Sequence, residues 1–168
     1  GKSALVDELK NSIRNAARKN ELFLALMAKN AMTYQPPLGF FRQFVLERSG
    51  EHKNRLNLKL HGIMPIVEIA RIRSLAAGEL RITTRNRLKA AAAAGEISED
   101  AAASLADALD FIEQLRLEHQ CRQLRAGEPT DNFIAPSHLS PLVRQNLKSA
   151  FSQVRTSQSA LLNRFHLA

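Results

Sequence analysis

The stretch SEDAAASLADALDFIEQLRLEHQCRQLRAG, residues 98–127, decides the fold. Ser98 is a natural N-cap, Glu99 and Asp100 sit in the first turn, and Gly127 suits the residue just past a helix end. The charges between them follow the helix macrodipole. Glu99, Asp100, Asp107 and Asp110 lie early, and Arg116, Arg122 and Arg125 lie late. The stretch predicts one helix of about 27 residues, roughly 40 Å long. A compact domain of 168 residues has a radius of gyration of only about 15 Å. Such a helix crosses the whole domain and needs neighbours of similar length. The last helix, from Ser140 with Pro141 at its first position to Phe165, supplies one. Two such rods joined by the loop GEPTDNFIAPSHLSP (127–141) predict an all-α, antiparallel helical bundle.

The rest of the chain fits around these rods. Leu5, Leu9 and Ile13 recur at helical spacing over Ser3–Arg18, with Asp7 and Glu8 expected in the first turn. A break is expected near Lys19-Asn20. Asn20 then caps a segment whose apolar face is Phe23, Leu24, Met27 and Ala31. Pro36-Pro37 stops it. Gly62 opens a helix with Pro65 in its first turn, running to Gly78, and Thr83 or Thr84 caps the next, ending at Gly95. Residues 40–62 are the least helical. In RLNLKLHG (55–62), Leu56, Leu58 and Leu60 alternate with Asn57, Lys59 and His61, which reads as a half-buried extended segment. FVLER (44–48) is its expected hairpin partner. The expectation is therefore a single helical domain over 1–168 with a short irregular or hairpin insertion around 40–62.

Composition narrows the function. Hydrophobic residues make up 45% of the chain, too many for general disorder, and no apolar run approaches the ~18 residues of a membrane span. The one cysteine, Cys121, has no thiol companion for a disulfide or a thiolate metal site. A reducing, cytoplasmic setting is the expectation. No His pair has metal-ligand spacing, and no nucleophile motif or Asp-x-Asp pair occurs. Specific nucleic-acid reading is disfavoured, because the eight Phe residues sit mostly at core spacings.

The net charge of +8 is uneven. Residues 42–87 hold ten bases against four acids, whereas residues 88–168 hold eight bases against nine acids. A concentrated positive field is the footprint of an anionic partner. In this segment Arg42, His52, Lys53, Asn54, Lys59 and Arg71 surround a loop, an extended run and a helix start. Lys as a point charge and Arg as a fork can hold phosphate there, with Glu51 and Glu68 positioning them. An ion-paired surface around an irregular connection is the alternative. Arg116, His119 and Gln120 share one face of the long helix, where a polar side turned to a neighbouring helix is the simpler reading.

Several blocks in this order resemble one family: PPLGFFRQFV (36–45), GEHKNRLNLKLHGIMPIVEIARI (50–72), TTRNRL (83–88), LRLEHQ (115–120), GEPTDNFIAP (127–136) and LKSAF (147–151). They look like the nucleotidyltransferase substrate-binding domain of bacterial proteins. Asn57 and Glu68 both stand where that family usually carries Asp. A looser similarity links NLKLHGIMPIVEI to PII uridylyltransferases and glutamine synthetase adenylyltransferases. The resemblance implies the C-terminal module of a longer chain, with a nucleotidyltransferase domain upstream in cis and, further upstream, CBS and cyclic-nucleotide-binding domains. It implies no cofactor in this domain and Mg²⁺ in the catalytic one.

Together these readings give an expected function. The domain is an accessory, non-catalytic substrate holder that positions a nucleoside triphosphate and an acceptor. Its expected substrate-binding residues are Arg42, His52, Lys53, Lys59 and Arg71, with Glu68 orienting. The rival expectation is a regulatory or dimerising interaction module, a homodimer without substrate of its own.

Overall fold

The computed structural model describes residues 2–167. Among them are six α-helices: α1 (Lys2–Lys19), α2 (Glu21–Ala31), α3 (Met64–Ala76), α4 (Thr84–Ala93), α5 (Glu99–Arg125) and α6 (Pro141–Arg164). The expected all-α architecture is present. Four helices begin at side-chain caps: Asn20, Thr83, Ser98 and Ser140 accept the backbone N–H of Phe23, Asn86, Ala101 and Val143. Each such cap satisfies one of the unpaired donors of a first turn. At the end of α3, Gly78 turns at φ +74 and lets the Glu79 N–H return to the Ser74 carbonyl at 2.8 Å.

α5 and α6 run antiparallel. Arg164 at the end of α6 reaches Glu96, just before the Ser98 cap of α5, at 3.3 Å. At the other end, residues near the C-terminus of α5 bond Asp131 and Asn132, in the loop that leads into α6. α3 and α4 pack on each other, and α4 and α2 pack on α5 and α3 respectively. The core lies where α3, α5 and α6 meet, with Ile66, Ile69, Leu105, Ile112, Leu147 and Phe151 fully buried. Leu147, Phe151, Val154 and Leu161 of α6 therefore serve the core, while Leu142 near its start is exposed.

Several local expectations are corrected. α1 begins at Lys2, so Asp7 and Glu8 lie beyond its first turn. Leu5 and Leu9 are exposed, and the Ile13 side chain lies outside the described ones. The buried residues of α2 are Leu24, Ala28 and Ala31, and Phe23 faces outward.

The irregular insertion over 40–62 is present, with different strand pairing. Leu56–Asn57 forms β1 and pairs antiparallel with Phe133–Ile134, β2, in the register Leu56↔Ile134 and Asn57↔Phe133. FVLER meets this run only at Glu47, which accepts from the Asn54 N–H at 2.9 Å and donates to the Arg55 carbonyl at 3.1 Å, while Phe44 bridges Leu38. The extended run stops after Asn57, and Leu58 is already helical at φ −64 and ψ −33. Asn57 Oδ1 accepts the Leu60 N–H at 3.0 Å, and the chain enters a π-helical turn, Lys59–Ile63, that leads into α3. Asn57 is thereby buried, 8% exposed, although the alternation places it outside. Gly62 permits the tight seat of this turn: a Cβ there would stand 3.0 Å from Ile112 Cγ2 and 3.3 Å from Phe151 Cε1.

Candidate substrate-binding site

Three remote segments meet at Asp131. The pairing of β1 with β2 brings residues 50–57 beside 131–134, and the last turns of α5 close the junction from below. His119 Nε2 lies 2.9 Å from Asp131 Oδ1, so that ring nitrogen carries the proton and donates. The Phe133 N–H donates to the same oxygen at 2.9 Å. Gln120 Nε2 donates to the Asp131 carbonyl, and Gln123 Oε1 accepts the Asp131 N–H. Arg116 donates to Asn132 Oδ1 at 3.2 Å. On the other side of the carboxylate, Arg55 Nη1 stands 3.6 Å and His52 Nδ1 4.0 Å from Oδ2. The His52 ring stacks flat on Phe133, with centroids 3.6 Å apart and planes at 6°. Burial pushes the Asp131 carboxyl up, but the Phe133 N–H, His119 and Gln123 outweigh it and hold its pKa below the ordinary value. Asp131 is therefore an anion at neutral pH.

Arg55 is the side chain with spare capacity. At 3.6 Å its pairing with Asp131 is longer than a hydrogen bond. Among the described residues its guanidinium makes no hydrogen bond to protein. It lines a cleft of about 340 Å³ together with Gln35, Pro37, Glu47, Asn57 and His61. His61 Nδ1 is 3.0 Å from the Gln35 carbonyl oxygen and must donate to it, which leaves Nε2 for a ligand. A guanidinium with open donors beside a cleft takes a carboxylate or phosphate in a forked contact.

The structure divides the residues singled out in the sequence into separate places. His52 belongs to the Asp131 junction. Lys53 and Lys59 are exposed nearby, on the turn after Gly50 and at the start of the π turn. Arg42 lies at the tip of the 39–42 turn with φ +57, beside Phe40 and Phe41, which are 90% and 85% exposed. Glu68 and Arg71 pair with each other at 2.8 Å on α3. Arg71 is twelve residues beyond Lys59, roughly 18 Å along a helix axis, so it faces a different part of the surface. The reading of residues missed Arg55 and Asp131 altogether. It recognised the shared face of Arg116, His119 and Gln120, but their partner is the 131–132 loop and not a neighbouring helix. Among the described residues, no three His, Cys, Asp or Glu side chains are placed to hold a metal ion. No described helix is long and apolar enough to cross a membrane.

The fold is a helical domain in which a polar junction ties the 131–134 loop to α5 and to the 50–57 segment beside a cleft. A family model described as "putative nucleotidyltransferase substrate binding domain" matches residues 21–165, and the chain belongs to that family. No curated protein and no solved structure matches it.

Proposed function

We propose that this domain holds substrate for a nucleotidyl transfer catalysed by a separate domain of the same protein, and does no chemistry itself. The observation that carries this reading is the convergence at Asp131. GEHKNRL, LRLEHQ and GEPTDNFIAP are far apart in sequence, yet they build one junction beside one cleft, where Arg55 has only a long ion pair to Asp131. Transfer of this class rests on positioning and charge stabilisation. The catalytic domain supplies the Mg²⁺. This domain supplies donors: Arg55 and His61 in the cleft, with the exposed Lys53 and Lys59 on the neighbouring turns and Arg42 on the 39–42 turn. His52 serves the Asp131 junction, and Arg71, oriented by Glu68, acts from a separate part of the surface on α3. The isolated chain, given Mg²⁺ and each common nucleoside triphosphate, should show no transfer. Lys59→Ala and Arg71→Ala in the full enzyme should raise the substrate requirement. Turnover by the chain alone, or unchanged kinetics in both variants, contradicts the reading.

A second reading has its own observation. α1 and α2 expose Leu5, Val6, Leu9, Leu22, Phe23 and Leu26, and α1 lies outside the residues that the family model matches. An apolar surface of this kind suits a protein partner or a second copy. Sedimentation of the chain separates the readings: a concentration-independent monomer speaks against dimerisation.

A further inference from the structure

Where α3 ends and α4 begins, the chain encloses a second place for a ligand, away from Asp131. A cleft of about 260 Å³ is lined by Leu75, Leu80 and Ile82, by Arg71, Arg81 and Arg87, and by Glu79, which pairs with Arg81. A neighbouring hollow of about 370 Å³ is lined by Arg81, Asn86 and Lys89. Arg81 lines both.

The charges at this corner do not cancel. Arg71 pairs with Glu68 at 2.8 Å, and Arg81 with Glu79 at 3.1 Å. Arg87 has no carboxylate within ion-pair distance among the described residues. Its Nε donates to the Arg81 carbonyl at 2.8 Å, which fixes the guanidinium and leaves its two terminal nitrogens unbonded. Lys89 likewise has no carboxylate partner there. Burial, then the nearby Arg71 charge, lowers the Arg87 pKa, and the Glu68 charge offsets this in part. Ser74 Oγ donates to the Glu79 carbonyl at 2.6 Å and holds the turn that carries Glu79 to Ile82 in place.

We infer that this corner binds a nucleoside triphosphate, with the base against Leu75, Leu80 and Ile82 and the phosphates on Arg81, Arg87 and Lys89. An apolar slot beside two cations without a carboxylate partner, Arg87 and Lys89, with Arg81 shared with Glu79, fits a molecule that is apolar at one end and polyanionic at the other. This inference rests on the substrate-holding reading and names one of the two substrates.

The test is calorimetric titration of the 168-residue chain with tripolyphosphate and with each of the four common ribonucleoside triphosphates. Tripolyphosphate should bind, and at least one nucleotide should bind more tightly. Arg87→Ala should weaken both at least tenfold. The double variant Arg81→Ala/Lys89→Ala alters only exposed side chains and should do the same if Arg87→Ala fails to fold. Arg125→Ala removes an equal charge at the far end of α5 and should change nothing. Equal weakening by Arg125→Ala overturns the site in favour of diffuse attraction. Absence of binding at millimolar tripolyphosphate, or binding indifferent to the Arg81, Arg87 and Lys89 changes, also overturns it. Those results leave the Asp131 cleft untouched, because its test is a kinetic one on Arg55.

Discussion

The His119 imidazole donates to the Asp131 carboxylate across 2.9 Å and so fastens the loop between α5 and α6 to the face of α5. The bond is reinforced by the Phe133 N–H on the same oxygen, and it fixes where β2 lies. β2 in turn sets the register of β1, and β1 aims Arg55. The cleft is thus positioned from α5, through a loop, by a chain of polar contacts.

Removing the hub loosens that chain. Asp131→Ala deletes a charged acceptor with two close donors and leaves His119 without its partner. The expected cost is about 2 kcal/mol, read as a lower urea midpoint with an unchanged m-value.

The same carboxylate sets a pH dependence. Its folded pKa is lowered, so its contribution is fully present above the ordinary carboxylate range and is lost as pH falls through the folded value. From about pH 5 downward, the wild type should lose stability faster than Asp131→Asn, which has no proton to take up. Parallel acid limbs in denaturant titrations would refute the assignment.

Arg73 is a structural clamp. Its buried guanidinium donates to the Glu96 carbonyl at 2.6 Å and the Ala160 carbonyl at 3.0 Å, and it joins α3 to α6 and the turn before α5. Glu96 also pairs with Arg164. Arg73→Ala should cost about 3 kcal/mol, and Arg73→Met less, because it keeps the packing of the stem. Wild-type thermal midpoints in both variants would show that the clamp holds nothing.

Gly62→Ala tests the seat of the π turn. The added methyl meets Ile112 and Phe151, both closed to solvent, so neither can yield. The overpacking should outweigh the gain in helix propensity and destabilise by about 1–2 kcal/mol. A stabilised variant would mean that the turn has room.

What was legible in the sequence was local. Asn20, Thr83, Ser98 and Ser140 announce helix starts because a cap acts only three residues ahead. The long rods follow from their charge order and apolar spacing. The strand pairing was not legible, because Leu56 and Ile134 meet across nearly eighty residues. The alternation at Leu56 and Leu58 predicts an extended run but cannot show that the Asn57 side chain ends it by capping Leu60. The candidate site was legible in pieces. Arg116, His119 and Gln120 declare a shared polar face, whereas their partner loop follows from no spacing rule. Lys59 and Arg71 are near in sequence, yet the rise of α3 carries them to different surfaces.

The most direct measurement is steady-state kinetics of the proposed full-length nucleotidyltransferase carrying Arg55→Ala, with KM determined separately for nucleotide and acceptor. Loss of a charged, forked contact should raise one of the two KM values about tenfold or more, with kcat within about twofold. Both KM values unchanged, or a fall in kcat alone, would contradict a substrate-holding role for the cleft beside Asp131.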